Sequence, residues 1–344
     1  MALAGREPTI AREVADWVAR VWLLRSRFAD VAALAAATLT LGPDASSFSD
    51  LGSAQLATGQ PRQALANHEQ ALHRYREVHD RAGEATALNN IGAVHGKLGD
   101  RQQALDFYQQ ALPIQREVGN RAGEAATLNN IGLAYDGLGD LPQALAYYGQ
   151  ALSITREVGD RAGEAATLAN IGAVHDGLGD RQQALAYFQK ALSITREVGD
   201  RAGEASALVN IGAVHDALGD RQQALAYYRQ ALSITREVGD RAGEATTLNN
   251  IGLVCDNLGD RQQALTYYRQ ALRIRREVGD RAGEAVTRFN IAMIYRAERN
   301  LDGAVGELEI VIDLDRQVGH LDLESDTAML ELVQQERVRA RRAT

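Results

Sequence analysis

The side chains able to do chemistry are few in this chain, and they return at one interval. His95, His175 and His215 occupy one register of a forty-residue period, and the same register also holds Tyr135, Cys255 and Tyr295. Histidine ligands must converge on a metal ion at about 2 Å, whereas equivalent positions on successive packed helix pairs stand roughly 10 Å apart. The row therefore predicts a half-buried packing position rather than a metal centre. Cys255 is the single cysteine, so no intrachain disulfide framework exists, and its register predicts a buried, inert thiol. Gly92-Ala-Val-His-Gly-Lys97-Leu98 approaches a phosphate loop, but it is one residue short and lacks the Ser or Thr that would hold Mg²⁺. No H-E-x-x-H, G-x-S-x-G or paired C-x-x-C occurs. Neither an enzyme nor a cofactor or metal is expected.

What does recur is amide and carboxylate. With each unit numbered from the alanine that opens it (Ala85, Ala125, Ala165, Ala205, Ala245, Ala285), position 6 is Asn90, Asn130, Asn170, Asn210, Asn250 and Asn290. Three units add Asn89, Asn129 and Asn249 at position 5, and position 12 carries Asp136, Asp176, Asp216 and Asp256. A carboxamide both donates and accepts, so a row of them can pair with the backbone of an extended peptide whatever its side chains. The competing reading is that these asparagines bond within or between helices and only fix packing.

The elements that must position these residues are legible in one unit. Asp180 follows Gly179 and precedes Gln183, a D-x-x-Q form of the capping box. Ala184, Leu185, Phe188, Ala191, Leu192 and Val198 then share a helical face, and Gly199 supplies the left-handed stop. Asp200 caps the next helix, where Leu208, Ile211, His215 and Leu218 form the apolar stripe and Gly212 lies beside it. Each unit is thus two amphipathic helices joined by Gly-Asp turns that suit only antiparallel neighbours. Units this short cannot close a core alone and must stack.

Leu168, Ile171, Gly172, His175, Ala184, Phe188 and Ala191 fall at positions 4, 7, 8, 11, 20, 24 and 27. That pattern resembles the tetratricopeptide repeat, in the long-helix form of kinesin light chain and Pins-type adaptors. The resemblance implies an all-α, right-handed superhelical solenoid of antiparallel helix pairs. It also implies a concave groove lined by the position-6 row, and specifies a scaffold rather than a chemistry. The family's clamp for a terminal carboxylate needs Lys or Arg at position 2. Here that position is Thr86, Ala126, Ala166, Ser206, Thr246 and Val286, so that clamp is not expected.

The chain is read as three parts. Residues 1–44 hold a lead-in and a degenerate first repeat, 45–323 hold seven repeats, and 324–344 hold a polar capping helix with a basic tail. Trp17 and Trp22 in the first repeat are expected to pack on the next one; the alternative is contact with an upstream domain or a second copy. A composition of 45% hydrophobic and 24% charged residues is that of a folded chain. Arg6, Glu7, Arg12 and Glu13 interrupt any leader-like run, and no stretch is apolar enough for a membrane span. With the lone cysteine, this predicts a cytoplasmic protein, and the strong excess of arginine over lysine suggests a GC-rich bacterial source. Net charge is −8, so the arginines near the C-terminus are read as cations at a helix end rather than a nucleic-acid surface. The expected partner is a protein or peptide segment, neutral or basic, with neither nucleic acid nor membrane involved. A second reading makes the array the sensor arm of a larger bacterial signalling ATPase or transcription regulator.

Overall fold

The structure, a computed structural model, describes residues 8–24, 28–318 and 322–343. The lead-in over residues 1–7 lies outside them. Every described element is an α-helix, and the chain forms two compact units, Met1–Val174 and His175–Thr344.

The first unit runs α1 (Pro8–Leu24), α2 (Phe28–Leu39), α3 (Ala45–Ala57), α4 (Pro61–Glu77), α5 (Arg81–Leu98), α6 (Arg101–Glu117), α7 (Arg121–Gly137) and α8 (Leu141–Val158). It ends within α9 (Arg161–Gly177). The second unit continues with α10 (Arg181–Val198), α11 (Arg201–Ala217), α12 (Arg221–Val238), α13 (Arg241–Asn257), α14 (Arg261–Val278), α15 (Arg281–Ala297), α16 (Leu301–Val318) and α17 (Leu323–Ala343). Within each unit consecutive helices pack pairwise, and the first helix of one repeat also touches that of the next, as α5 touches α7 and α13 touches α15.

The turns work as their residues dictate. Gly159, Gly199, Gly239 and Gly279 end their helices at φ between 70° and 73°, where an L side chain would be strained. The next residue is then free to cap. Asp160, Asp200, Asp240 and Asp280 each accept a 2.9 Å bond from the amide three residues on, covering one of the four orphan donors of a helix start.

Packing inside a repeat turns on position 8. A Cβ at Gly92 would stand 2.5 Å from the Tyr108 ring, and at Gly132, Gly212 and Gly252 it would meet Tyr148, Tyr228 and Tyr268 at 2.7–2.8 Å. Glycine here lets a ring from the second helix lie flat on the backbone of the first. The last repeat has Ala292 facing Leu308, both fully buried, so the methyl is accommodated once the ring is gone.

Each helix-to-helix corner between repeats carries a charged staple. Glu124 is 4% exposed and accepts from Arg116 Nε at 2.7 Å and from Arg121, which reaches on to Glu157 at 2.6 Å. Glu84, Glu204 and Glu244 repeat the arrangement with Arg76 and Arg81, Arg196 and Arg201, Arg236 and Arg241.

Two sequence expectations are corrected. Val198 and Leu218, placed on core stripes by periodicity, are 43% and 47% exposed, because each stands at a helix C-terminus beyond the reach of the neighbouring helix. Trp22 packs against Ala19 and Val31 of its own repeat and Ala54 of the next, but Trp17 is 69% exposed, since α1 turns it to the side away from α2 and α3. The C-terminal helix docks α17 on α16, with Val333 fully buried against Leu308 and Arg341 on Asp302 at 2.7 Å.

Candidate functional site

The asparagines lie half-buried on the first helix of each repeat, except Asn249, which is buried. Their partners divide by position. The position-5 amide is a splice between repeats: Asn89 Oδ1 accepts from Thr127 Oγ1 and from Asn130 Nδ2, both at 3.2 Å. Asn129 accepts likewise from Thr167 at 3.3 Å and Asn170 at 3.0 Å, and Asn249 from Thr287 at 3.2 Å and Asn290 at 3.3 Å. Each of these threonine hydroxyls has one proton and also lies within 3.2 Å of the carbonyl four residues back, so the asparagine Nδ2 donor is what orients each position-5 amide. Asn90 starts the series more weakly, donating to Ser49 Oγ at 3.5 Å.

The bonds therefore use the donor side of Asn130, Asn170 and Asn290 and leave the Oδ1 of each without a donor among the described residues. Asn250 differs, because the position-5 residue of the preceding repeat is Val209, which offers no acceptor. The packing role of this row and a binding role are thus compatible on different atoms of one amide.

Sequence reasoning passed over Thr127, Thr167 and Thr287. The signal was present: each follows an asparagine thirty-eight residues earlier, whereas Ala207 follows Ala169. It becomes readable only once the stagger between neighbouring repeats is known.

The aspartates of position 12 are half-buried near the end of the same helices. They are not a bare acidic stripe. Arg181 bonds Asp176 at 2.7 Å and Arg261 lies 3.8 Å from Asp256, each from the first turn of the second helix. Burial pushes the Asp216 carboxyl above the usual aspartate range against the pull of Arg221, and burial does the same to Asp136 against Arg101. Repeat three has Leu141 where its neighbours have arginine, so the cation facing Asp136 comes from the preceding repeat. Arg101 lies over Gly137, where any Cβ would collide with it.

Three cavities, one in the first unit and two in the second, are lined by residues of these rows. One of about 390 Å³ brings Asn130 and Asp136 together with Gly96, Lys97, Arg101 and Leu133. Another of about 190 Å³ holds Asn210 with Ser206, Val209 and Thr246. A third, of about 340 Å³, sets Asn290 beside Asp315, Asp322 and Asp326. Position 2 contributes Ser206 and Thr246 to the second cavity and Val286 to the third.

The histidine row packs. His95 stacks on Phe107 with ring centroids 5.4 Å apart, and His175 and His215 stack on Tyr187 and Tyr227 at 5.3 Å. Cys255 is 2% exposed, its Sγ lies 3.2 Å from Gln263 Oε1, and burial pushes the thiol pKa up. Among the described residues no helix is long and apolar enough to cross a membrane.

Paired antiparallel helices, a small residue at position 8 facing an aromatic, and a polar row along the first helices define a helical-repeat scaffold. The family model for the tetratricopeptide repeat matches six overlapping stretches, 43–117, 83–157, 123–197, 163–237, 203–277 and 243–317. The chain belongs to the tetratricopeptide repeat family. No curated protein sequence matches it significantly. Among solved structures it is similar to a Rap protein complexed with competence and sporulation factor, at 14% identity and TM-score 0.63, covering 95% of this chain and 98% of that one. BtubC (BKLC) from P. vanneervenii matches at 23% identity and TM-score 0.55, over 64% of this chain and 92% of its own. A signal transduction ATPase with numerous domains, carrying a tetratricopeptide repeat sensor, from Pyrococcus horikoshii, matches at 15% identity and TM-score 0.60. That match covers 91% of this chain and 54% of that one. At these identities the likeness is one of fold.

Proposed function

We propose that the protein is a non-catalytic interaction scaffold, cytoplasmic and bacterial, that holds an extended segment of a protein partner along its asparagine-bearing face. The observation that carries this is the division of labour in the amide row: repeat-to-repeat bonds take the donors of Asn130, Asn170 and Asn290, and their oxygens remain to receive peptide N–H groups. Asn90, Asn210 and Asn250 extend the row, Asn89, Asn129 and Asn249 hold it in register, and Asp136, Asp176, Asp216 and Asp256 flank it. Because arginines accompany the aspartates, this face suits a neutral or mildly basic segment, with steering that weakens as salt rises. The Rap protein bound to competence and sporulation factor lends support by likeness of fold.

A second reading, the sensor arm of a larger signalling ATPase or transcription regulator, is favoured by the fold shared with the ATPase's repeat sensor. The two agree on the binding face and differ in what the occupied face reports to.

A peptide array probed with the purified chain tests the proposal. Asn130→Ala, Asn170→Ala and Asn210→Ala combined should abolish capture of the peptides that the unaltered chain selects. Asn250→Ala alone should weaken capture modestly, about 0.5–1.5 kcal/mol for one lost bond, without loss of stability. Normal capture by the triple variant, provided it remains folded, would place the ligand elsewhere.

A further inference from the structure

The polar residue at position 31 is satisfied in different ways: Gln115 leaves its Oε1 without a hydrogen-bond partner among the described residues, while the next repeats carry threonine. Thr155, Thr195 and Thr235 each donate to the carbonyl three residues back, at 3.0–3.2 Å. Arg275 in the same place donates to Thr287 Oγ1 at 2.9 Å and to the Gly283 carbonyl. In the last repeat the position is Asp315, 1% exposed. An ionised carboxylate has no proton to donate, so the carbonyl that satisfies threonine cannot serve it. Neither oxygen of Asp315 has a hydrogen-bond partner among the described residues.

Asp315 lines the 340 Å³ cavity between α15 and the first turn of α17. Asp322 and Asp326 line it too, with Ser325 and Asn290, and no cation is among its described lining residues. Phe289, Val286 and Ala285 form an apolar wall. Burying an uncompensated carboxylate is costly because it loses its hydration, and an incoming cation would relieve it. The counterpart cavity in the first unit also has three aspartates, but none is buried as Asp315 is: Asp16 and Asp50 are half-buried and Asp80 is exposed.

We infer that this cavity is a receptor for a guanidinium-bearing side chain, that is, for an arginine of the bound segment. The wall of Phe289 and Val286 would take the methylene stem, as long cationic side chains lie along apolar surface while the charge finds acceptors. The planar guanidinium offers five donors to carboxylates, against the single point charge of lysine. The peptide nature of the ligand rests on the groove reading, while the choice of a cation rests on these aspartates alone.

The probe is acetyl-Gly-Arg-Gly-amide, with the citrulline peptide as its uncharged isostere, titrated into the full chain and followed by amide resonances of Phe289, Ser325 and Asp326. The arginine peptide is expected to shift these resonances, and the citrulline peptide to bind at least tenfold more weakly. Asp315→Thr restores the residue of Thr155, Thr195 and Thr235, so it should fold, melt higher than the parent and bind the arginine peptide at least tenfold more weakly. Asp326→Asn, on the rim, should weaken it severalfold and carries the test if Asp315→Thr fails to fold. Equal binding of the two peptides, undiminished binding by either folded variant, or no shift at millimolar arginine peptide would overturn the inference. If arginine binds here yet the triple asparagine variant captures peptides normally, the cavity stands and the groove reading falls; the reverse pattern removes the cavity alone.

Discussion

At the scale of single residues, the pair formed by positions 8 and 24 sets how closely two helices approach. Gly132 has no room for a methyl, because Tyr148 would lie 2.7 Å from it. Gly132→Ala should therefore destabilise the chain by about 1–3 kcal/mol through overpacking, despite the better helix propensity of alanine. The last repeat shows the remedy, with Ala292 opposite Leu308 and both buried. Gly132→Ala combined with Tyr148→Leu should cost less than the sum of the single changes, with a coupling on the order of 1 kcal/mol. A double-mutant cycle of urea midpoints measures it; strict additivity would show that ring and glycine do not determine one another.

At the scale of elements, the corner staples tie stability to pH. Burial by itself raises the pKa of Glu84, Glu124, Glu164 and Glu204, but hydrogen bonds from two arginines each outweigh it and hold every one below the ordinary glutamate value. A carboxyl depressed in the folded state binds fewer protons there than in the unfolded chain, so stability rises with pH across that window. The contribution is complete above the ordinary glutamate range and is lost as pH falls through it toward the depressed values. The arginines are about half exposed, so each staple is worth only about 1 kcal/mol. Glu124→Gln with Glu164→Gln should lower the urea midpoint at neutral pH and flatten its decline into acid. An acid decline as steep as that of the parent would assign it to other carboxyls.

At the scale of the molecule, each repeat draws its stability from the neighbours it touches. In the first unit α7 packs against α5, α6 and α8 and bonds α9 through Asn129, and Leu128 and Ile131 are fully buried. By contrast, among the described residues α1 packs on α2 and α3, and leaves Ile10, Val14 and Trp17 about half or more exposed. Hydrogen exchange should accordingly be slower at the amides of Leu128 and Ile131 than at Ala15 and Ala19 by orders of magnitude, as local opening precedes global unfolding. Equal protection would mean that the unit opens only as a whole.

The features legible in the sequence alone are those written in local periodicity. Helices, their aspartate caps, their glycine stops and the position-8 contact all depend on residues within a few turns, and the repetition of Gly-Asp every twenty residues marked them. The family followed from the same residues. Periodicity failed at helix ends, where Val198 and Leu218 keep the register of the core but lack a neighbour to cover them. Tertiary structure alone decided what the polar rows do. Whether Asn89 meets Thr127 and Asn130 depends on the stagger of one repeat on the next, a relation across 38 and 41 residues that no helical period encodes. Whether Asp176 is bare or paired depends on the turn that brings Arg181 back to it. That Asp315 has no donor follows from where α17 docks, since burial and partner are both set by packing between elements rather than by the residue itself.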